Sequence, residues 1–192
     1  MTWRKLAAPF FVLYLAATAA ANIATANLTP IFTTFLGQPV AITAGTFFIG
    51  ITFFLRDGVQ MSGGIRRAYI AILIALLIDL ALSVHYGDLF AITVASGAAL
   101  FCSELTDTAM FTAFRHRFGA RVLASGAAAV PLDSVVFVLL GLSPLTTGII
   151  PWAAVLPTIL LQSLLKFGIQ TLAALPAWRV RVAAGGMAED AA

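Results

Sequence analysis

Apolar residues run along this chain in six long blocks, with polar positions mostly between the blocks and in a few places inside them. A helix needs about 20 predominantly apolar residues to cross a bilayer, within a range of about 17–25. Six blocks fit, at 7–27, 40–57, 67–86, 89–114, 121–141 and 151–178. The pattern predicts an all-α, polytopic membrane protein, with residues 1–192 forming one domain of six transmembrane helices. The second block is short, and Gly58, Gly63 and Gly64 are expected to end it in a flexible turn. The sixth is long enough to tilt, to kink at Pro157, or to continue as an interfacial tail after Pro176. The first apolar run passes from Leu6–Ala21 straight into Asn22, Thr25 and Asn27. It therefore reads as a first transmembrane helix and not as a cleaved signal.

The polar residues inside the blocks change the picture. Glu104 and Asp107 lie in the apolar stretch between Leu89 and Phe114. Three residues apart on a helix, they share a face about 60° wide. A charged acid near the bilayer centre costs about 2.5–3.5 kcal/mol on insertion scales, so such acids face a cavity, a partner or a substrate. Asp79 lies deep in block three, and Asp133 follows Pro131 in block five. Block six carries Gln162, Lys166 and Gln170 at intervals of four, a polar stripe with one cation. Lys166 is expected to pair with Glu104, Asp107 or Asp133. In block one, Thr18, Asn22 and Thr25 share a face, where interhelical hydrogen bonding and substrate contact by Asn22 are both open readings. Block two ends at Arg56-Asp57, read either as an interfacial pair with Arg56 snorkelling to the headgroups or as a gating site at Asp57.

Composition agrees with a bilayer as solvent. Hydrophobic residues make up 61% of the 192 and charged ones 10%, with mean hydropathy +1.01; soluble domains carry about 25% charged residues. Of the 11 Lys and Arg, all but Lys166 fall at the N-terminus, around the junctions of blocks two–three and four–five, or after block six. By the positive-inside rule those regions are cytoplasmic, which places both termini inside a multi-pass protein of the cell (inner or plasma) membrane. The same placement argues against nucleic acid as the partner of the net charge of +3. The single cysteine, Cys102, excludes an internal disulfide and a cysteine-based metal cluster. No nucleophile–base pair, phosphate loop or metal set stands out, so neither an enzyme, a metal nor a cofactor is expected.

Acids outnumber Lys166 within the blocks. The excess suits a ligand rich in N–H donors, such as a nucleobase or a guanidine-like group, and it suits proton coupling. The expectation is a small transporter whose polar residues meet at one buried site.

The order of these residues resembles the vitamin uptake transporter family, also called the queuosine precursor transporters. The similarity rests on the Phe-rich stretch Gly45 to Asp57, the pair Arg66-Arg67, Ser103-Glu104-Leu105 with Asp107 and Phe111, Asp133-Ser134 with Phe137, and Lys166. It covers roughly residues 40–175. Two features depart from the family pattern: Arg56 stands where Thr is usual, and Met61-Ser62-Gly63-Gly64 replaces Glu-Val-Tyr-Gly. The resemblance implies import of a 7-deazapurine such as preQ0 or preQ1 through a central polar site. Asn22, Asp57, Glu104, Asp107, Asp133, Gln162, Lys166 and Gln170 are the candidate substrate-binding residues. The alternative is the substrate-binding subunit of an energy-coupling-factor importer, which needs a separate ATPase. The partners expected are a nucleobase-like small molecule, the lipid bilayer, a coupling proton and a second copy of the chain as a homodimer.

Overall fold

The computed structural model describes residues 3–86, 90–113 and 117–180. Arg115, His116, Arg181 and the polar tail from Gly185 lie outside the described residues. Six long helices dominate the described residues: α1 (Ala7–Asn27), α2 (Gly45–Gly63), α3 (Ile65–Tyr86), α4 (Phe90–Ala113), α5 (Phe118–Phe137) and α6 (Trp152–Ala174). Among the described residues, three helical segments, Arg4–Asn27, Phe118–Leu142 and Trp152–Ala177, are both long and apolar enough to cross a membrane.

The helices close a ring in which each packs on its neighbours, in the order α1, α2, α6, α5, α4, α3 and back to α1. Helix α2 also touches α3 and α4 across the ring, so it is the most enclosed element. Helix α1 buries Ala7, Tyr14, Thr18 and Ala21. Their offsets of seven, four and three are one narrow seam of a helix. Its remaining surface is apolar and exposed, with Val12 at 63% and Leu13 at 53%.

That distribution is the reverse of a soluble protein. Large apolar side chains such as Leu73, Leu77, Leu80, Leu156 and Leu164 point outward, while Arg56, Asp57, Glu104 and Asp107 are fully enclosed. Every carboxylate among the described residues is buried. Hydrocarbon accepts the outer face and rejects the charges, so the bilayer sorts the residues this way.

The structure corrects three expectations. Residues 40–57 do not form one helix. Ile31–Phe35 (β1) and Gln38–Ile42 (β2) make an antiparallel hairpin pairing Ile31 with Ile42 and Phe35 with Gln38. Its two-residue turn, Leu36-Gly37, has φ of 50° and 74°, the backbone that a tight hairpin requires. Helix α2 starts only at Gly45 and runs through Gly58 to Gly63. Gly58 does not stop the helix; it admits the ring of Phe10, which an added Cβ would strike. The chain turns at Gly64, with φ 80°. Finally, Arg121, expected in a cytoplasmic loop, lies in the first turns of α5, buried, with its guanidinium 4.2 Å from the centre of the Phe111 ring.

The α2–α6 contact is close because Gly50 has no side chain. A Cβ there would sit 2.8 Å from Ile169 Cβ and 3.1 Å from the Lys166 carbonyl oxygen. Gly50→Val is therefore expected to lower the apparent Tm in detergent, by the equivalent of about 1–3 kcal/mol for overpacking. An unchanged melting curve would mean that the helices do not approach here.

Candidate functional site

Two charged centres occupy the interior. The first is built around Arg56 on α2. Its Nε donates to Glu104 Oε2 at 2.9 Å and its Nη1 to Gln60 Oε1 at 3.0 Å. Its Nη2 pairs with Asp57 Oδ1 at 3.0 Å and with Asp107 Oδ2. The three-residue spacing does put Glu104 and Asp107 on one face of α4, and that face meets Arg56. A guanidinium offers five N–H donors in a fixed plane, which is why one side chain can hold three carboxylates and an amide. Gln60, one turn from Arg56, passes the link on to Thr112 Oγ1 at 2.8 Å, and Thr112 donates to the Thr108 carbonyl at 2.7 Å. The snorkelling reading of Arg56 is thus corrected: its side chain is completely buried.

The second centre joins α5 to α6. Lys166 Nζ donates to Asp133 Oδ2 at 2.6 Å, to Gln162 Oε1 at 3.3 Å and to Ser134 Oγ at 3.5 Å. Ser103 Oγ donates to Asp133 Oδ1 at 3.3 Å. Gln162 Nε2 in turn donates to the Ala41 carbonyl of β2 at 3.4 Å, which ties the hairpin to this centre. Of the three acids expected as partners for Lys166, Asp133 is the one it meets; Glu104 and Asp107 belong to Arg56. The centres are adjacent, because Ser103 and Glu104 are consecutive and Glu104 lies within electrostatic range of Asp133.

A third polar group borders them. Asn22 Nδ2 donates to Asp79 Oδ1, and Ser96 Oγ donates to Asn22 Oδ1 at 3.3 Å. This fixes the orientation of the Asn22 amide across α1, α3 and α4.

A small pocket opens between the second and third groups. Its polar lining includes Asn22, Thr25, Thr46, Ser96, Asp133 and Lys166, and Ile49 and Phe137 supply apolar wall. The chemistry suits a flat, polar-edged ring. Asp133 accepts hydrogen bonds, Lys166 donates, Asn22 and Ser96 do both, and Phe137 offers an aromatic face.

The expected site residues therefore separate. Asn22, Asp133 and Lys166 line the pocket, and Gln162 braces Lys166. Asp57, Glu104 and Asp107 are gathered on Arg56. Gln170, fully buried, lies beside Gly126 and within range of Asp57. Ser96, Thr46 and Arg56 were not among the expected site residues. Arg56 carried a readable signal, since a cation beside Asp57 in an apolar block needs an anion at the same depth.

The chain matches the family model described as Putative vitamin uptake transporter over residues 81–180. That segment contains Glu104, Asp107, Asp133 and Lys166. Among curated proteins and among solved structures, none matches.

Proposed function

This chain belongs to the vitamin uptake transporter family, and from that membership we propose that it imports a 7-deazapurine precursor of queuosine, such as preQ0 or preQ1. The family makes it a membrane transport protein, and the deazapurine is the substrate proposed for it. One observation supports it above the others. The pocket between α1, α2, α4, α5 and α6 carries a carboxylate, an ammonium, an amide and hydroxyls on its rim and an aromatic ring on its wall. Asp133 accepts from the exocyclic amine and ring N–H of the base, and Lys166 or Asn22 donates to its carbonyl oxygen or a ring nitrogen. Phe137 stacks on the ring. All six helices cross the membrane of the cell in this reading, with both termini in the cytoplasm.

The test is uptake of labelled precursor in cells unable to make it, with this chain as the added gene. Accumulation without an added ATPase module is the expected result. Accumulation only with such a module would favour the substrate-binding subunit of an energy-coupling-factor importer, and none with either would contradict the reading. Asn22→Leu, which removes the amide that Asp79 and Ser96 hold, is expected to weaken precursor binding by roughly tenfold, the equivalent of about 1.4 kcal/mol. Unchanged binding would remove Asn22 from the site.

A further inference from the structure

The Arg56 centre lies outside the pocket, and its charges do not balance. Asp57, Glu104 and Asp107 surround one guanidinium, and all four side chains are fully buried. Arg121 of α5 lies within range of Asp57 and offsets one negative charge. Asp133 of α5 is matched by Lys166 of α6. Asp79 of α3 adds negative potential at Tyr14, and α6 contributes the neutral amide of Gln170 near Asp57. With every acid ionised, the centre keeps one negative charge without a countercharge in a medium that strongly disfavours it.

Two carboxylate oxygens of the cluster, Glu104 Oε1 and Asp107 Oδ1, have no donor in hydrogen-bonding geometry among the described residues. A second, independent feature points into the same place. Tyr14 of α1 is completely buried, and its hydroxyl is directed at the Glu104 carboxyl group. A phenol aimed at a carboxyl group can donate to the ionised form or accept from the protonated one, so it serves both states.

We propose that the Glu104–Asp107 pair around Arg56 is a proton-binding site, separate from the substrate pocket, which couples import to the proton gradient. A proton from water adds to a carboxylate oxygen of the pair, forming an O–H bond, and returns to water on the other side. A metal cation does not fit this chemistry, because the centre of the carboxylate set is already held by a permanently charged guanidinium. Protonation removes one of the anionic partners through which Arg56 ties α2 to α4. Two routes carry that change to the pocket. Helix α2 continues from Arg56 to Ile49 and Thr46 in the pocket wall, and Ser103, next to Glu104, donates to Asp133.

The coupling rests on the transport reading, whereas the proton site does not, and the experiment separates them. Infrared difference spectra of the purified protein in lipid nanodiscs, taken between acidic and basic buffer without substrate, report protonated carboxyl groups. The pH-dependent carboxyl band is expected to shrink or shift in Glu104→Gln and in Asp107→Asn, both of which keep an acceptor for Arg56. The same band in both variants as in wild type would overturn the proposal. In proteoliposomes, an acid-outside gradient is expected to drive deazapurine accumulation, with a limit rising about tenfold per pH unit for one proton. Glu104→Gln is expected to abolish that dependence. Accumulation driven instead by a sodium gradient at equal pH would also overturn the proposal. Absence of uptake by wild type, with the infrared result intact, would remove the deazapurine reading and leave the proton site standing.

Discussion

Arg56→Met is expected to yield no stably folded protein. Removing one partner of a buried ion pair costs about 3–5 kcal/mol, because the other charge stays behind without compensation. Here three enclosed carboxylates lose the same cation. Against a total stability of about 5–15 kcal/mol, that loss is decisive. The physical cause can be isolated by adding Glu104→Gln and Asp107→Asn to Arg56→Met. Neutralising the acids should restore a monodisperse peak in detergent and much of the lost Tm. Arg56→Lys should fall between the two, since an ammonium cannot reproduce the planar fork that reaches Glu104, Gln60 and the two Asp residues together. Wild-type stability in the single Arg56→Met variant would show that the cluster does not hold α2 to α4.

Lys166→Met has the second large effect, and it separates folding from transport. Among the described residues, the substitution leaves Asp133 with Ser103 as its remaining side-chain hydrogen-bond donor. A stability loss of about 3–5 kcal/mol and uptake at background are expected. Combining it with Asp133→Asn removes the orphaned charge, so folding should recover. Transport should not, because the ammonium and the carboxylate on the pocket rim are both gone. Recovery of uptake in the double variant would mean that the pair is structural only.

These outcomes also bear on what the sequence made legible. The six long helices were visible because each follows an extended apolar block. The family resemblance, carried by Glu104, Asp107, Asp133 and Lys166 in order, agrees with the family match over residues 81–180. The hairpin was not seen, although Leu36-Gly37 between Phe-Thr-Thr-Phe and Gln-Pro-Val-Ala-Ile carries its signal. The apolar residues of β2 run into those of α2 with only Thr43-Ala44 between them, so two elements read as one span. Gly58 read as a stop because its close packing on Phe10 is a tertiary fact. The division of the acids was hidden for the same reason. Spacing showed that Glu104 and Asp107 share a face, but not that the face meets a residue 48 positions earlier. With Arg56 assigned to the headgroups, Lys166 looked like the single interior cation, and one site was expected where there are two centres.

The pocket at Asp133 and Lys166 is where the base is expected to be held. Isothermal titration of the purified protein with preQ1 or preQ0, comparing wild type with Asp133→Asn, addresses this without transport or a gradient. Saturable binding by wild type, weakened at least roughly tenfold in Asp133→Asn, is the predicted result. An Asp133→Asn variant that folds and binds the base with the wild-type Kd would contradict it.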